Sequence, residues 1–259
     1  MTSSRSNRRL PPGRSGGFSL AELAIVLLVV SVLLGGLLMP LSAQIESRNI
    51  EETRHRLDEI REALLGYAAA NGRLPCPATA ASNGAEDPAG GGDCAVAYAG
   101  FVPGKTLGIV TLDAGGYALD AWGNRIGYAV ARQGSPNAYT TQGGMRTLGM
   151  ASLAPDLRVC ADATLLFPAG APNKCAQDEG TQATKVLTND AVAVLVSFGR
   201  NGATSPSDPD EVANANDDRV FVFHPRAADE ASRGRFDDEI TWLSRFTLFS
   251  RMISAGQLP

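Results

Sequence analysis

The chain has 259 residues, of which 44% are hydrophobic and 19% charged, a composition that allows one medium-sized globular domain with an extension. The net charge is −4. Four of the 23 basic residues lie in the first 17 positions, which contain no acidic residue. Residues 18–259 therefore contain 19 basic and 27 acidic residues, a net charge of −8. This distribution excludes a broad basic surface for nucleic acid on the body of the protein.

An apolar stretch follows the basic leader. Residues 18–39 contain one charge, Glu22, and as a helix they would extend for about 33 Å. This length predicts a transmembrane helix. Because the arginines precede it, the positive-inside rule predicts a cytoplasmic N-terminus and, in a bacterium, a single-pass inner-membrane protein with a periplasmic C-terminal domain.

Two simpler interpretations of this stretch are open. A secretory signal peptide would be cut after Ala43, within MPLSAQ, whereas a plain signal anchor would keep the helix. The apolar run is longer than the ~7–15 residues of a signal peptide, and neither interpretation explains Glu22. A carboxylate costs on the order of 2.5–3.5 kcal/mol at the centre of a membrane, so it normally has a partner.

The sequence GFSLAE at 17–22 resembles the processing signal of type IV pilins and of the pseudopilins of type II secretion. The resemblance implies that a prepilin peptidase cleaves after Gly17 and that the new N-terminal residue, Phe18, is methylated. It also implies that Glu22 pairs with the N-terminal amine of a neighbouring subunit in a filament. Residues 1–17 would then be a cytoplasmic leader peptide that is removed.

A second helical pattern follows the apolar stretch. Four apolar residues recur at helical spacing, with charged residues on the opposite face: Leu57, Ile60, Leu64 and Tyr67. A helix stop follows at Asn71-Gly72. The pilin resemblance implies that this part is a periplasmic spine helix. The predicted boundaries are 1–17 for the leader, 18–39 for the transmembrane helix, 40–71 for the spine helix and 72–259 for a loop-rich globular head.

The four cysteines lie in the part predicted to be exported, where an even number favours disulfides; they are Cys76, Cys94, Cys160 and Cys175. Three pairings are possible. We favour Cys76 with Cys94 and Cys160 with Cys175, because each pair brackets a loop that would otherwise be floppy, and closing it contributes roughly 3 kcal/mol. The sequence has no CxxC motif and no nearby histidine pair, which argues against zinc.

The head contains strand signals and one late helical pattern. Three segments are rich in β-forming residues, at 125–131, 191–199 and 219–225. A closing amphipathic helix is predicted from four residues at helical spacing, Trp242, Phe246, Phe249 and Ile253. The predicted fold class is α+β: a long N-terminal transmembrane and spine helix packed on a small antiparallel β-sheet head with long disulfide-bonded loops.

Three stretches of the head resemble major pseudopilins: LDAWGNRIGYAV at 119–130, SFGRNG at 197–202 and FDDEITW at 236–242. The first is similar to the turn before the family's first head strand. The other two are similar to a loop and an acidic segment that hold calcium in that family. Asn201 stands where the family has Asp, and a long insertion separates the two parts.

Oxygen donors for a calcium ion are abundant near these stretches: Asp208, Asp210, Glu211, Asp217, Asp218, Asp237, Asp238 and Glu239. By the resemblance, Asp237 and Asp238 are the preferred candidates, with Asp217 and Asp218 as further ones. No EF-hand spacing occurs, and an acid-rich loop also forms an ordinary solvated surface. Calcium is the one cofactor that the sequence suggests, and none is required.

No catalytic constellation is evident. His55 lies in the charged helical segment and His224 precedes a proline, so neither joins a Ser-His-acid or HExxH arrangement. A P-loop and a GxGxxG motif before a helix are also missing from the sequence. We therefore predict that the chain is not an enzyme.

The predicted function is that of a structural subunit, cut by prepilin peptidase and assembled through its N-terminal helix into a periplasmic pseudopilus of a type II secretion system. A minor type IV pilin for adhesion, pilus priming or DNA uptake is the alternative, and a membrane-anchored periplasmic binding protein or enzyme is a third class. Expected partners are other pilin or pseudopilin subunits, the inner-membrane assembly platform, the prepilin peptidase/methyltransferase and the membrane. Nucleic acid is not expected.

Overall fold

The computed structural model describes residues 19–161, 186–202, 208–225 and 236–259, and for residues 34–41 it describes the backbone alone. By compactness the chain divides into two units, Met1–Ser47 and Arg48–Pro259. The second unit contains the β-sheet and the main hydrophobic core.

The first element is helix α1, Leu20–Asn71. Gly72 follows it with a φ of 69°, a left-handed conformation that glycine adopts without steric penalty. The backbone N of Gly72 donates to the carbonyl of Ala68 at 2.8 Å, which satisfies one of the last carbonyls of the helix. The predicted helix stop at Asn71-Gly72 is confirmed.

No helix formed by the described residues is both long enough and apolar enough to cross a bilayer. The transmembrane helix predicted at 18–39 is therefore wrong. The predicted single-pass placement in the inner membrane, with a periplasmic C-terminal domain, is wrong with it.

In the second unit, α1 contributes one buried face to the core. The buried residues recur every three or four positions, as a packed helix face requires; they are Thr53, Leu57, Ile60, Leu64, Leu65 and Ala68. The apolar members belong to the same cluster as the sheet residues. Arg54 Nε also pairs with Glu239 Oε2 at 2.9 Å, and Arg56 Nη1 donates to the carbonyl of Asp120 at 2.8 Å.

The elements after α1 are short. In chain order they are β1 (Gly100–Phe101), α2 (Gly104–Leu107), β2 (Gly127–Val130), α3 (Gly144–Leu148), a 3₁₀ turn (Met150–Ser152), β3 (Leu157–Cys160), β4 (Val186–Ser197), α4 (Pro209–Asn214), β5 (Val220–Val222), β6 (Glu239–Ser244) and α5 (Arg245–Ser254). The three predicted strand segments correspond to β2, β4 and β5. The predicted α+β class is therefore confirmed at this level.

The six strands form one sheet in the order β1-β2-β4-β3-β5, and β6 pairs with β4. All pairs of described strands are antiparallel except β3 and β5, which are parallel. The connection from β4 to β5 carries α4 and brings the chain back in the direction of β3, as a parallel pair requires. The predicted fold class is thus wrong on two points, the membrane helix and the purely antiparallel sheet.

The boundary between β6 and α5 also differs from the prediction. Trp242 lies in β6, where it pairs with Val194, and α5 begins only at Arg245. The Ser244 side chain caps α5 by accepting a hydrogen bond from the backbone N of Phe246 at 3.3 Å. The predicted closing helix is therefore present from Phe246 onward but does not include Trp242.

Candidate functional site

The predicted processing residues, Gly17 and Phe18, lie outside the described residues. The description begins at Ser19, immediately before α1. Glu22, the predicted assembly residue, lies in the first turn of that helix.

Ser19 and Glu22 close the first turn of α1 with two reciprocal hydrogen bonds. Glu22 Oε2 accepts from the backbone N of Ser19 at 2.9 Å, and Ser19 Oγ accepts from the backbone N of Glu22 at 3.2 Å. This arrangement is a capping box, in which side chains satisfy backbone N–H groups that have no carbonyl partner in the first turn. The sequence analysis missed this role of Glu22, although Ser-x-x-Glu before an apolar run is its usual signal.

Large apolar side chains of α1 are exposed between Leu20 and Leu33. Their exposed fractions run from 43% at Val30 to 89% at Leu20. We call this set the apolar helix surface: Leu20, Leu23, Ile25, Val26, Leu27, Leu28, Val29, Val30, Val32 and Leu33. The six consecutive positions 25–30 cover every side of a helix with 3.6 residues per turn. A contiguous exposed apolar area of this kind indicates an interaction surface.

Three buried carboxylates meet where α4 approaches the start of β6. We call Glu211, Asp237 and Asp238 the acidic cluster; their exposed fractions are 2%, 2% and 1%. One carboxylate oxygen from each lies within 4.8 Å of the others. Asp237 and Asp238 are predicted site residues. The sequence analysis names Glu211 only as one of many oxygen donors. Asp237 follows 26 residues later, and the spacing of the acidic residues does not show that the two meet.

The loop after β4 holds the acidic cluster. Asn201 Nδ2 donates to Glu211 Oε2 at 2.8 Å, and the backbone N of Arg200 donates to Asp237 Oδ2 at 3.2 Å. Gly199, with a φ of 58°, approaches so closely that a Cβ there would collide with the carbonyl of Asp237. The segments 197–202 and 236–242 therefore lie side by side. An aspartate at position 201 would set a like charge against Glu211, whereas Asn201 donates a hydrogen bond to it.

Asn214 ties the acidic cluster to its surroundings, and His224 contacts two residues that adjoin the cluster in sequence. Asn214 Nδ2 donates to Asp238 Oδ2 at 2.8 Å and to the carbonyl of Val222 at 3.0 Å, which joins α4 to β5. The His224 ring stacks on Phe236 with centroids 3.9 Å apart, and its Nε2 lies 3.1 Å from Asp210 Oδ2.

Burial makes negative charge costly in the acidic cluster. It raises the pKa of Glu211 above its usual value, as do the carboxylates of Asp237 and Asp208, although hydrogen bonds from Asn201 and the Asp237 backbone lower it. A bound cation would offset this cost. Carboxylate oxygens are also the ligand type that Ca²⁺ prefers.

Asp217 and Asp218, also predicted as calcium ligands, are not part of the acidic cluster. Asp217 is exposed. Asp218 Oδ1 accepts from the backbone N of Val220 at 2.7 Å at the start of β5, and burial raises the pKa of Asp218. Asp218 therefore serves the turn before β5.

The predicted LDAWGN turn is closed by its aspartate. Asp120 Oδ1 accepts from the backbone N of Trp122 at 3.0 Å and of Asn124 at 2.8 Å, while Oδ2 accepts from Ser197 Oγ at 2.7 Å. Burial raises the pKa of Asp120 despite these hydrogen bonds. Asn124 Nδ2 donates to the carbonyl of Gly199 at 2.6 Å, so the turn is tied to the loop that holds the acidic cluster.

The cysteines follow the predicted pattern as far as the structure describes them. Cys76 and Cys94 form a disulfide with 5.4 Å between their Cα atoms. Cys160 is disulfide-bonded as well. Cys175 lies outside the described residues, so the predicted pairing of Cys160 with Cys175 stays a prediction.

The two histidines occupy separate settings. His55 lies on the exposed face of α1, with Nδ1 3.6 Å from Glu59 Oε1, and His224 stacks on Phe236.

Comparisons with protein-family models, with curated proteins and with solved structures find no match to this chain. The likeness to pilins therefore rests on the sequence motifs quoted above.

Proposed function

We propose that this protein is a pilin-like structural subunit that is processed between Gly17 and Phe18 and assembles through its N-terminal helix into a filament. The observation that carries the proposal is the position of the apolar helix surface. Helix α1 opens at Leu20, two residues after the predicted junction, and the exposed apolar side chains begin in its first turn. Burying apolar area contributes about 25 cal/mol per Å², so packing such helices side by side is favourable.

The filament that we propose is a pseudopilus of a type II secretion system. Support comes from the LDAWGN turn and from the SFGRNG and FDDEITW segments, which resemble pseudopilin heads and lie next to one another through Asn124, Gly199 and Asp237. Like subunits, the assembly platform and the prepilin peptidase/methyltransferase are the proposed partners.

Mass spectrometry of the mature N-terminus tests the processing step. The full chain, coexpressed with a prepilin peptidase, is expected to start with a methylated Phe18. Gly17→Val should block cleavage, whereas Gly16→Val, a matched change at the adjacent glycine, should leave the cleavage site in place. A mature chain that starts at Gln44, or a leader that stays intact beside active peptidase, would contradict the proposal.

Deletion of the gene separates the two kinds of filament. Loss of exoprotein secretion with normal surface pili supports the pseudopilus. Loss of twitching motility and surface pili, with secretion intact, would instead identify a minor type IV pilin.

We also propose that the acidic cluster binds Ca²⁺. Three buried carboxylates, each with an oxygen within 4.8 Å of the others, match the ligand type of this cation. Glu211, Asp237 and Asp238 would hold the ion, and its positive charge would offset the burial that raises the pKa of Glu211. The bound ion would cross-link α4 to the segment before β6.

Thermal unfolding of the full chain with added Ca²⁺ or with chelator tests this site. Calcium is expected to raise Tm for the wild-type chain, because a ligand that binds only the folded state stabilises it. Glu211→Gln should lose the shift, while Asp217→Asn, an exposed carboxylate outside the cluster, should keep it. An unchanged Tm for the wild-type chain would remove calcium from the function.

A further inference from the structure

We infer that Ser19 is a positioning residue for Glu22, and that the two act together to hold the first turn of α1 closed for assembly. The capping geometry stands on its own, while its consequence for assembly rests on the proposed function. The pilin resemblance assigns Glu22 a pairing role between subunits. The structure assigns it a partner within its own chain, three residues away.

The two hydrogen bonds fix the direction of the Glu22 side chain. The carboxylate turns back toward the helix start, where Oε2 meets the backbone N of Ser19 at 2.9 Å. Ser19 Oγ holds the other side of the turn through the backbone N of Glu22 at 3.2 Å. A carboxylate at this end also faces the positive end of the helix dipole, which favours the closed turn further.

The cap lies next to the predicted processing junction. Ser19 would be the second residue of the processed chain, so an open first turn would free the N-terminal residues from the helix. A closed turn keeps Leu20 and Leu23 in helical register with the rest of the apolar helix surface. The second carboxylate oxygen, Oε1, could pair with a cation of a neighbouring subunit without breaking the hydrogen bond at Oε2.

Hydrogen exchange at the amides of residues 19–23 tests the cap directly. In the processed, unassembled full chain, Glu22→Ala and Ser19→Ala should each speed exchange about fivefold, the factor that corresponds to a cap worth about 1 kcal/mol. Glu22→Gln and Ser19→Thr should exchange at nearly the wild-type rate, because Gln and Thr also form capping boxes. Wild-type exchange in Ser19→Ala, or fast exchange in Glu22→Gln, would overturn the inference.

Assembly of the same variants tests the consequence. Ser19→Ala keeps the Glu22 charge but loses its anchor, so we expect it to reduce filament formation, and Ser19→Thr to restore it. Normal assembly of Ser19→Ala would overturn the link between cap and assembly. A wild-type chain that is neither processed nor assembled, but shows the expected exchange pattern, would refute the proposed function and leave the cap in place.

Discussion

At the scale of single residues, Arg73 and Glu86 form the most deeply buried ion pair among the described residues. Arg73 Nη1 and Nη2 each donate to a different oxygen of Glu86 at 2.7 Å, and the two side chains are 7% and 8% exposed. Glu86 also accepts from the backbone N of Cys76 at 3.2 Å. The pair therefore organises the loop that the Cys76–Cys94 disulfide closes.

The first residue-scale prediction concerns Glu86→Gln. Removing one partner of a buried pair leaves the other charge uncompensated, so we expect the free energy of unfolding at pH 7 to fall by about 3–5 kcal/mol. Urea unfolding followed by near-UV circular dichroism measures the change. Glu62→Gln is the control, because Glu62 and its partner Arg251 are 57% and 51% exposed and such pairs contribute little.

The same residue sets a pH dependence. Burial alone would raise the pKa of Glu86, but the Arg73 guanidinium and the backbone N–H groups outweigh it, and the pKa lies below its usual value. A lowered pKa stabilises the fold above the unfolded value of about 4.3, and this stability is lost as the pH falls through the folded pKa. The wild-type chain should thus lose more stability below about pH 4.3 than Glu86→Gln; equal losses would contradict the pKa direction.

At the scale of elements, the C-terminal part of α1 is held to the sheet by packing, with the ion pair of Arg54 and Glu239 at its margin. Leu64 is 1% exposed and belongs to the main core. The helical spacing of the sequence predicts its buried face. The charged partner of Arg54 lies 185 residues away in sequence, which no local pattern could indicate.

The element-scale prediction is that Leu64→Ala destabilises the full chain by about 2–5 kcal/mol, the range for deleting a buried leucine side chain. The midpoint of urea unfolding should fall at constant slope. Val110→Ala serves as the control, since Val110 is 96% exposed and its truncation leaves no cavity. Equal midpoints for the two variants would mean that α1 does not depend on this contact.

At the scale of the whole molecule, strong local patterns predicted the elements that are long or rich in β-branched residues. The last seven residues of β4 are all buried, and the apolar run at 191–199 predicted them. Strand β1 was missed because two residues are too few to show a period. Strand β3, Leu157–Cys160, was also missed. Strand β6, at 239–244, was not predicted as a strand, because Trp242 happens to continue the helical spacing of α5 and was placed in the closing helix.

The candidate site shows the same division between local and distant information. Asp237 and Asp238 could be named from their motif, and Glu22 from its place in an apolar run. Glu211 could not be singled out, because its contact with the backbone N of Asp237 joins residues that are far apart in sequence. The membrane assignment at 18–39 is overturned by a different observation, namely that no helix among the described residues is both long and apolar enough to cross a bilayer.

The apolar helix surface has a kinetic consequence for the proposed filament. Because apolar side chains face every side of the helix, a pair of subunits covers only a fraction of them, and a subunit with several neighbours covers far more. Growth would then need a nucleus and a threshold concentration. Above that threshold, newly made subunits would enter filaments while the free pool stayed constant, so the rate of synthesis, rather than a change in affinity, would set filament length.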